Sequence, residues 1–307
     1  MKIAFVNDGF LIWRGGDHPI NELALRLSNR HEVHVIAPDI NYPGAKFKLI
    51  KINAMRLVTK TWRDYLFFYN LIKFRKEIKK IVQREKYDVI NVHHSGLALA
   101  FIGIKNVVFT WQGSPPETLS EINIVRIIGR KLINKLNVLL LNFFKKTIVI
   151  SKFLADELSS YIPEQKIVII GGGVEKGFKF SDIDKGYILC QGRHEHHKRI
   201  DEVIRLSTEL NFPVKIIGAG SITQELKYLT RQLKAPVEFY SNISEKQKIK
   251  LFKESSFFVS ASRWEGFGLP FLEAQASGKP VIGYNLGSIP EIIVPNLPRQ
   301  LQDDRVA

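Results

Sequence analysis

Arg263-Trp264-Glu265-Gly266-Phe267-Gly268-Leu269-Pro270-Phe271-Leu272-Glu273 sets a glycine turn between two carboxylates, where a short apolar run gives way to a helical pattern. The run before it, Phe257–Ser260, reads as a strand, and Leu269–Ser277 reads as the helix that follows. This strand–turn–helix join is the repeating unit of an α/β protein. Backbone amides at a glycine turn that opens a helix have no intrahelical acceptors and sit at the positive end of the helix dipole, so they bind anions. Carboxylates beside such a site suit hydroxyl-rich groups attached to a phosphate. The combination points to a sugar nucleotide.

The same alternation runs outward along the chain. In the first half, strands are expected at Lys2–Val6, Glu32–Ile36, Phe47–Ile52, Val89–Val92, Val107–Thr110 and Thr147–Ile150, with helices at Asp17–Asn29, Arg63–Glu85 and Ile122–Phe144. In the second half, strands are expected at Tyr187–Gln191, Val214–Ile217, Val237–Tyr240, Phe257–Ser260 and Pro280–Gly283. Helices there are expected at Arg199–Glu209, Ile222–Lys234, Glu245–Glu254 and Leu269–Ser277. A seam at 171–186, with Gly171-Gly172-Gly173 and the polar run Lys179–Lys185, reads as a linker between two Rossmann-like domains, 1–175 and 176–307. Facing each other across a cleft, such domains place ligands at the carboxyl ends of both parallel sheets.

The 307 residues are enough for two domains that each bury a core, and 45% hydrophobic with 24% charged content is that of a soluble globular protein. A single cysteine, Cys190, excludes an intramolecular disulfide framework, suits a reducing cytoplasm and reads as core filler on a strand. No secretory signal and no membrane-spanning run is visible, so the expected place is cytoplasmic, peripheral on the inner face of a membrane. Net charge is +15 and it is uneven: residues 1–150 carry 24 Lys/Arg against 11 Asp/Glu, and the remainder 21 against 19.

Individual residues carry the chemistry. Gly15-Gly16 follows the first strand; by itself it is a plain strand-to-helix turn or a place where backbone approaches a phosphate. Arg193 and Lys198, in Gly-Arg-His-Glu-His-His-Lys at a strand end, form either a solvated basic loop or a clamp on a diphosphate. His194, His196 and His197 are awkwardly spaced for a metal and read as variable loop residues. Asp182-Ile183-Asp184 lies in the polar seam, which argues against a metal-binding Asp-x-Asp. His93-His94 ends a strand, where one imidazole could orient an acceptor or simply be a satisfied structural histidine.

Taken together, these segments resemble the retaining glycosyltransferases of family 4, which have the GT-B fold. Glu265 and Glu273 match the family's Glu-x7-Glu signature from Ser262 to Glu291, and Gly192-Arg193 through Lys198 matches its phosphate clamp. The resemblance implies a hexosyltransferase that uses a nucleoside-diphosphate sugar without a metal or other cofactor. It implies that Glu265 contacts the donor sugar and supports positive charge at the anomeric carbon, while Glu273 holds the ribose hydroxyls. The amides of Phe267, Gly268 and Leu269 would cover the phosphate, Arg193 and Lys198 would stabilise the leaving diphosphate, and Gly15, Gly16 and Gly218 would let backbone approach the donor. Gly218-Ala219-Gly220 resembles the family's Gly-x-Gly near the base or ribose, and Ile148–Phe153 its strand-Ser segment.

Departures from the family pattern matter too. Gln112, in Phe109-Thr110-Trp111-Gln112-Gly113, stands where many relatives carry a histidine; an amide cannot transfer a proton, so no base is expected there. A front-face mechanism, with the departing phosphate taking the acceptor proton, tolerates that change. Ser288 replaces the second glycine of Gly-Gly-x-Pro-Glu in Gly287–Glu291, and Gly171–Glu175 replaces a Pro-Asn-Gly-Val-Asp turn. Relatives usually continue further beyond Glu291, so the C-terminal part is expected to be short.

From Arg56 to Lys86, ten Lys/Arg and three Asp/Glu are interleaved with Trp62, Tyr65, Phe67, Phe68, Tyr69 and Phe74. The second basic helix carries Arg126, Arg130, Lys131, Lys135, Lys145 and Lys146. A helix that buries one face explains the periodicity, whereas docking on an anionic membrane also explains the charge. The acceptor is then a glycan or a lipid-linked sugar reached through the N-terminal domain. No nucleic-acid reader motif is present. Competing readings are a catalytically idle basic module for membrane or nucleic acid, and a sugar-nucleotide 2-epimerase on the same fold.

Overall fold

The computed structural model describes residues 1–11, 18–42, 44–54, 67–93, 95–113 and 124–293. Gly15, Gly16, Trp62, Tyr65 and His94 lie outside the described residues, as do the side chains of Arg126 and Arg130.

Contacts divide the chain into two compact units, the first built from Met1–Gly113, Val125–Ile150 and Leu154–Ile170, the second holding Ser151–Phe153 and the chain from Gly171 on. The first unit runs β1 (Lys2–Val6), β2 (Phe10–Leu11), α1 (His18–Leu27), β3 (Glu32–Ala37), β4 (Ile40–Asn41), β5 (Lys48–Lys51) and α2 (Phe67–Glu85). It continues through β6 (Val89–Val92), α3 (Ala98–Phe101), β7 (Val107–Trp111), α4 (Ile124–Leu140), β8 (Thr147–Val149), α5 (Lys152–Ser159) and β9 (Ile167–Ile169). Seven strands form one sheet in the order β5-β3-β1-β6-β7-β8-β9, every pair parallel. The order reverses at β1, so the crossovers before the reversal and those after it fall on opposite faces of the sheet.

The sequence explains these elements directly. Four consecutive residues of β1, Ile3 through Val6, are buried, as expected for a central parallel strand covered on both faces. In α2, Leu71, Phe74, Ile78 and Ile81 repeat every three or four residues and are buried, while Lys73, Lys76, Lys79 and Lys80 face solvent. Helix α4 ends at Leu140 and tightens into a 3-10 turn over Leu141–Phe143, short of the α-helical reach expected to Phe144. Helix α5 and strand β9 carry no expectation from sequence; β9 is three residues long and gains its place by pairing with β8.

The second unit runs β10 (Ile188–Gln191), α6 (Ile200–Leu210), β11 (Val214–Ile217), α7 (Thr223–Leu233), β12 (Val237–Tyr240), α8 (Glu245–Glu254), β13 (Phe257–Ser260), α9 (Leu269–Ala276), β14 (Val281–Gly283) and α10 (Ile289–Ile292). Its five strands are parallel in the order β12-β11-β10-β13-β14. Side chains alternate across this sheet. Leu189 and Phe258 join one cluster with Phe252 of α8 and Phe271 of α9. Ile188, Cys190 and Val259 join the other, with Val203 of α6 and Leu226 of α7.

The seam at 171–186 is not a bare linker. Phe178 is fully buried in the first of those clusters, Ser181 N donates to Ser277 O at 3.1 Å, and Lys279 Nζ donates to Ile183 O at 2.5 Å. A polar composition read as loop therefore conceals one aromatic anchor and a lysine reaching from outside it. Two parallel sheets with this pattern of helices make the protein α/β, the class that the resemblance to GT-B enzymes implies.

Candidate active site

Each of the two large sheets has one point where the strand order reverses, and loops leaving adjacent strands diverge there to leave room for a ligand. In the second unit that point lies between β10 and β13. The loop after β10 holds Arg193 and Lys198, and the loop after β13 holds Glu265.

The two loops meet. Lys198 Nζ lies 2.6 Å from Glu265 Oε1, and both side chains are largely shielded from solvent. Arg263 N donates to His197 O at 2.8 Å, tying the loop backbones together. Arg193 points outward and pairs with Glu195 Oε1 at 3.3 Å, which leaves its guanidinium accessible.

The backbone at Glu265 is held from two sides. Ser288 Oγ donates to Glu265 O at 2.9 Å and Ser151 Oγ donates to Gly266 O at 2.8 Å. Ser288 thus has a bonding role that a glycine there would lack. Glu291, four residues from Gly287, accepts from the amides of Lys152 and Phe153 at 2.7 and 2.6 Å.

Gly268 precedes α9 with φ at +89°, a left-handed conformation that glycine adopts without strain. Pro270 follows in the first turn, where its missing N–H costs nothing. The amides of Phe267, Gly268 and Leu269 accordingly lie at the positive end of α9. One turn on, Glu273 is buried and its Oε1 lies 2.6 Å from Lys248 Nζ of α8. Burial raises the Glu273 carboxyl above the ordinary glutamate value, against the pull of Lys248. Lys248 was invisible in the sequence: only the packing of α8 beside α9 brings it there.

Gly218 is needed for a reason internal to the fold. Its φ is +143°, and a Cβ at this position would overlap the carbonyl oxygen of Gly192. The loops after β10 and β11 pack backbone to backbone here. His194 and His197, read from sequence as variable loop residues, are buried, and His194 Nδ1 is 2.9 Å from Thr223 Oγ1. Burial lowers the His194 pKa, so the ring is a neutral packing element. His196 alone of the three is exposed.

In the first unit the reversal lies between β1 and β6. His93 follows β6 at that point, buried beside Phe5 with ring centroids 5.7 Å apart. Among the described residues neither ring nitrogen has a hydrogen-bond partner, and burial pushes its pKa down to about 4. Gln112 follows β7, the next strand of the sheet, and is half-buried.

Among the described residues one group has metal-ligand spacing, Glu32, His34 and Glu85, far in sequence from these loops. Lys2 Nζ already sits 3.0 Å from Glu32 and 2.6 Å from Glu85, and Arg84 lies 3.1 Å from Glu85, so the chain's own cations pair with both carboxylates. No described helix is long and apolar enough to cross a membrane.

A family model described as Glycosyltransferase Family 4 matches residues 14–177, and one described as Glycosyl transferases group 1 matches residues 174–302. The chain belongs to this glycosyltransferase family. It is therefore a transferase enzyme. An uncharacterized glycosyltransferase of Methanocaldococcus jannaschii is 26% identical over 277 residues, covering 86% of this chain and 73% of that one. Sucrose-phosphate synthase of Thermosynechococcus elongatus superposes with a TM-score of 0.78 at 16% identity, over 96% of this chain and 84% of that one. HepE of Anabaena, solved with UDP and glucose, superposes with a TM-score of 0.75 at 16% identity, over 96% and 83%. These neighbours share the transferase's fold.

Proposed function

We propose that the enzyme is a retaining hexosyltransferase that moves a sugar from a nucleoside diphosphate to a glycan or lipid-linked acceptor. The observation that carries this reading is the Lys198–Glu265 pair at the reversal point of the second sheet. A cation placed there can take the charge that grows on a departing diphosphate, and a carboxylate beside it can support positive charge on the anomeric carbon. The anomeric C–O bond to the diphosphate breaks, the acceptor oxygen bonds to the same face, and the acceptor proton passes to the leaving phosphate oxygen. No side-chain base is required, in keeping with Gln112. Arg193 and Lys198 supply the positive charge, so the reaction is assigned no metal. The donor residues, Gly218, Phe267, Gly268, Leu269 and Glu273 among them, belong to domain 176–307. Domain 1–175 is assigned the acceptor side through His93, His94 and Gln112, and it adds Gly15 and Gly16 to the donor-binding residues. HepE in complex with UDP-glucose is a precedent for a nucleotide sugar on this fold.

The test is transfer or donor hydrolysis across labelled UDP-, GDP- and ADP-sugars, with and without EDTA, by the wild type, Lys198→Ala and Glu265→Ala. Wild-type turnover that survives EDTA and is lost in both variants is expected, with the donor's anomeric configuration kept in the product. Turnover equal in all three proteins would overturn the reading.

The same proposal places the enzyme on an anionic membrane surface. Leu132, Leu136, Leu139 and Phe143 recur every three or four residues from α4 onward and are exposed, Leu132 by 64% and Phe143 by 68%. Lys131, Lys135 and Lys145 are exposed beside them. Apolar side chains framed by lysines suit insertion among anionic headgroups, each cation adding roughly 1 kcal/mol. Binding to phosphatidylglycerol vesicles that weakens with salt and is lost in Phe143→Glu is expected; salt-insensitive binding would rule it out.

A further inference from the structure

Helix α8 opens on a capping serine, Ser244, whose side chain accepts from Gln247 N at 3.2 Å. One turn in, Lys248 turns away from solvent toward α9. Its ammonium lies 2.6 Å from Glu273 Oε1 and 3.0 Å from Glu245 Oε1, and 5.1 Å above the ring of Phe178. Two carboxylates and an aromatic face thus hold it, and it is not available as a phosphate ligand.

Glu273 is only partly satisfied by this arrangement. Its residue is 3% exposed, Oε1 is taken by Lys248, and among the described residues Oε2 has no hydrogen-bond partner and is shielded from solvent. A buried carboxylate oxygen left bare is costly, and such atoms call for an explanation. Tying α8 to α9 does not supply one, because replacing both members of a buried ion pair by apolar side chains of similar volume holds two helices together as well or better. An oxygen kept empty at one end of a carboxylate, with the other end clamped, is an acceptor held ready for a hydroxyl. A hydroxyl that displaces the atoms covering Oε2 gains a charge-assisted bond and breaks no hydrogen bond of that oxygen.

We propose that Lys248 is a positioning residue for nucleotide recognition: it holds the Glu273 carboxylate ionised and turned so that Oε2 accepts from the ribose diol of the donor. The inference rests on the reading of the site as a nucleoside-diphosphate-sugar site and adds the residue that tunes it. Among the described residues, the charged groups facing Glu273 are Lys248 and Glu245 from α8 and Glu175 from the segment before β10. Lys248 is the single cation among them. Burial pulls the Lys248 ammonium down, but Glu273 and Glu245 more than offset it and keep the side chain charged. Without it, burial and two like charges all push the Glu273 carboxyl toward its neutral form.

The test compares equilibrium binding of UDP, GDP and ADP with that of their 2′-deoxy and 3′-deoxy counterparts, between pH 6 and 9. The proteins are the full chain, Lys248→Met, Lys248→Arg and Glu273→Gln. A hydrogen bond to an ionised group corresponds to a preference of about 10-fold or more for the ribonucleotide. The wild type and Lys248→Arg are expected to show it, nearly flat with pH. In Lys248→Met it should fall below about 3-fold at pH 6 and recover toward pH 9, as the carboxyl ionises; Glu273→Gln should lose it at every pH. A purely structural tie would lower the melting temperature in Lys248→Met and leave the ribose preference and its pH profile unchanged, which would overturn the proposal. If Lys248→Met fails to fold, Glu273→Gln and Lys248→Arg decide: equal preference in Glu273→Gln and the wild type overturns it. Wild-type binding with no ribose preference sinks the inference and leaves the donor-site reading standing; no nucleotide binding at all sinks both.

Discussion

Lys198 and Glu265 are 67 positions apart in the chain, and their side chains meet at 2.6 Å because β10 and β13 are neighbours in one parallel sheet. The pair is coupled, so its members should not act independently. Lys198→Ala is expected to lower kcat by about 10²–10³-fold, the scale of losing one preorganised charge at a developing anion. The double variant Lys198→Ala/Glu265→Ala should lose less than the product of the single losses, as a double-mutant cycle on kcat/KM would reveal.

Ser288→Ala removes the hydroxyl that donates to Glu265 O at 2.9 Å. A loss of about 1 kcal/mol in urea unfolding is expected. Because the carboxylate itself remains, KM for the donor should rise more than kcat falls. Ser288→Gly should behave like the alanine variant, since neither carries the donor group.

His93 gives a pH signature. Its ordinary pKa of 6.5 is lowered to about 4 by burial, so the unfolded chain takes up the proton first on acidification. Stability contributed by the neutral ring is complete above pH 6.5 and drains away as pH falls, by about 3 kcal/mol on reaching pH 4. Urea midpoints at pH 7 and 5 should therefore lie closer together in His93→Asn than in the wild type. Equal spacing in the two proteins would show that another group carries the acid sensitivity.

Gly218→Ala combines a left-handed φ of +143° with overlap on the Gly192 carbonyl. Strain and overpacking together should cost about 2–4 kcal/mol. Calorimetry on this variant measures how strongly the loops after β10 and β11 depend on each other.

Cys190 is buried on β10, and burial pushes its thiol up to about 12. The native protein should resist a thiolate-directed reagent at pH 8 and react in denaturant. A fast native reaction would mean that this face of the sheet opens readily.

The sequence made the strands legible because central parallel strands are continuous apolar runs; Ile3 through Val6 is one and Ile188–Cys190 another. It placed Arg193, Lys198 and Glu265 on loops at strand ends, and they follow β10 and β13. It could not reveal Lys248, whose partner Glu273 is 25 positions away and is met only through helix packing. Nor could it reveal that His194 and His197 face inward, since a loop has no period from which burial could be read. Phe178 escaped for the opposite reason: one aromatic in a polar run looks incidental until the core beneath it is known.

The second sheet separates two side-chain clusters, with α8 and α9 represented in one and α6 and α7 in the other. Nothing apolar is shared between them. The layer that holds Lys248 and Glu273 can therefore accumulate substitutions while the opposite layer goes on holding the strands in register. Divergence of one layer and conservation of the scaffold become separate problems, solved on opposite sides of the same five strands.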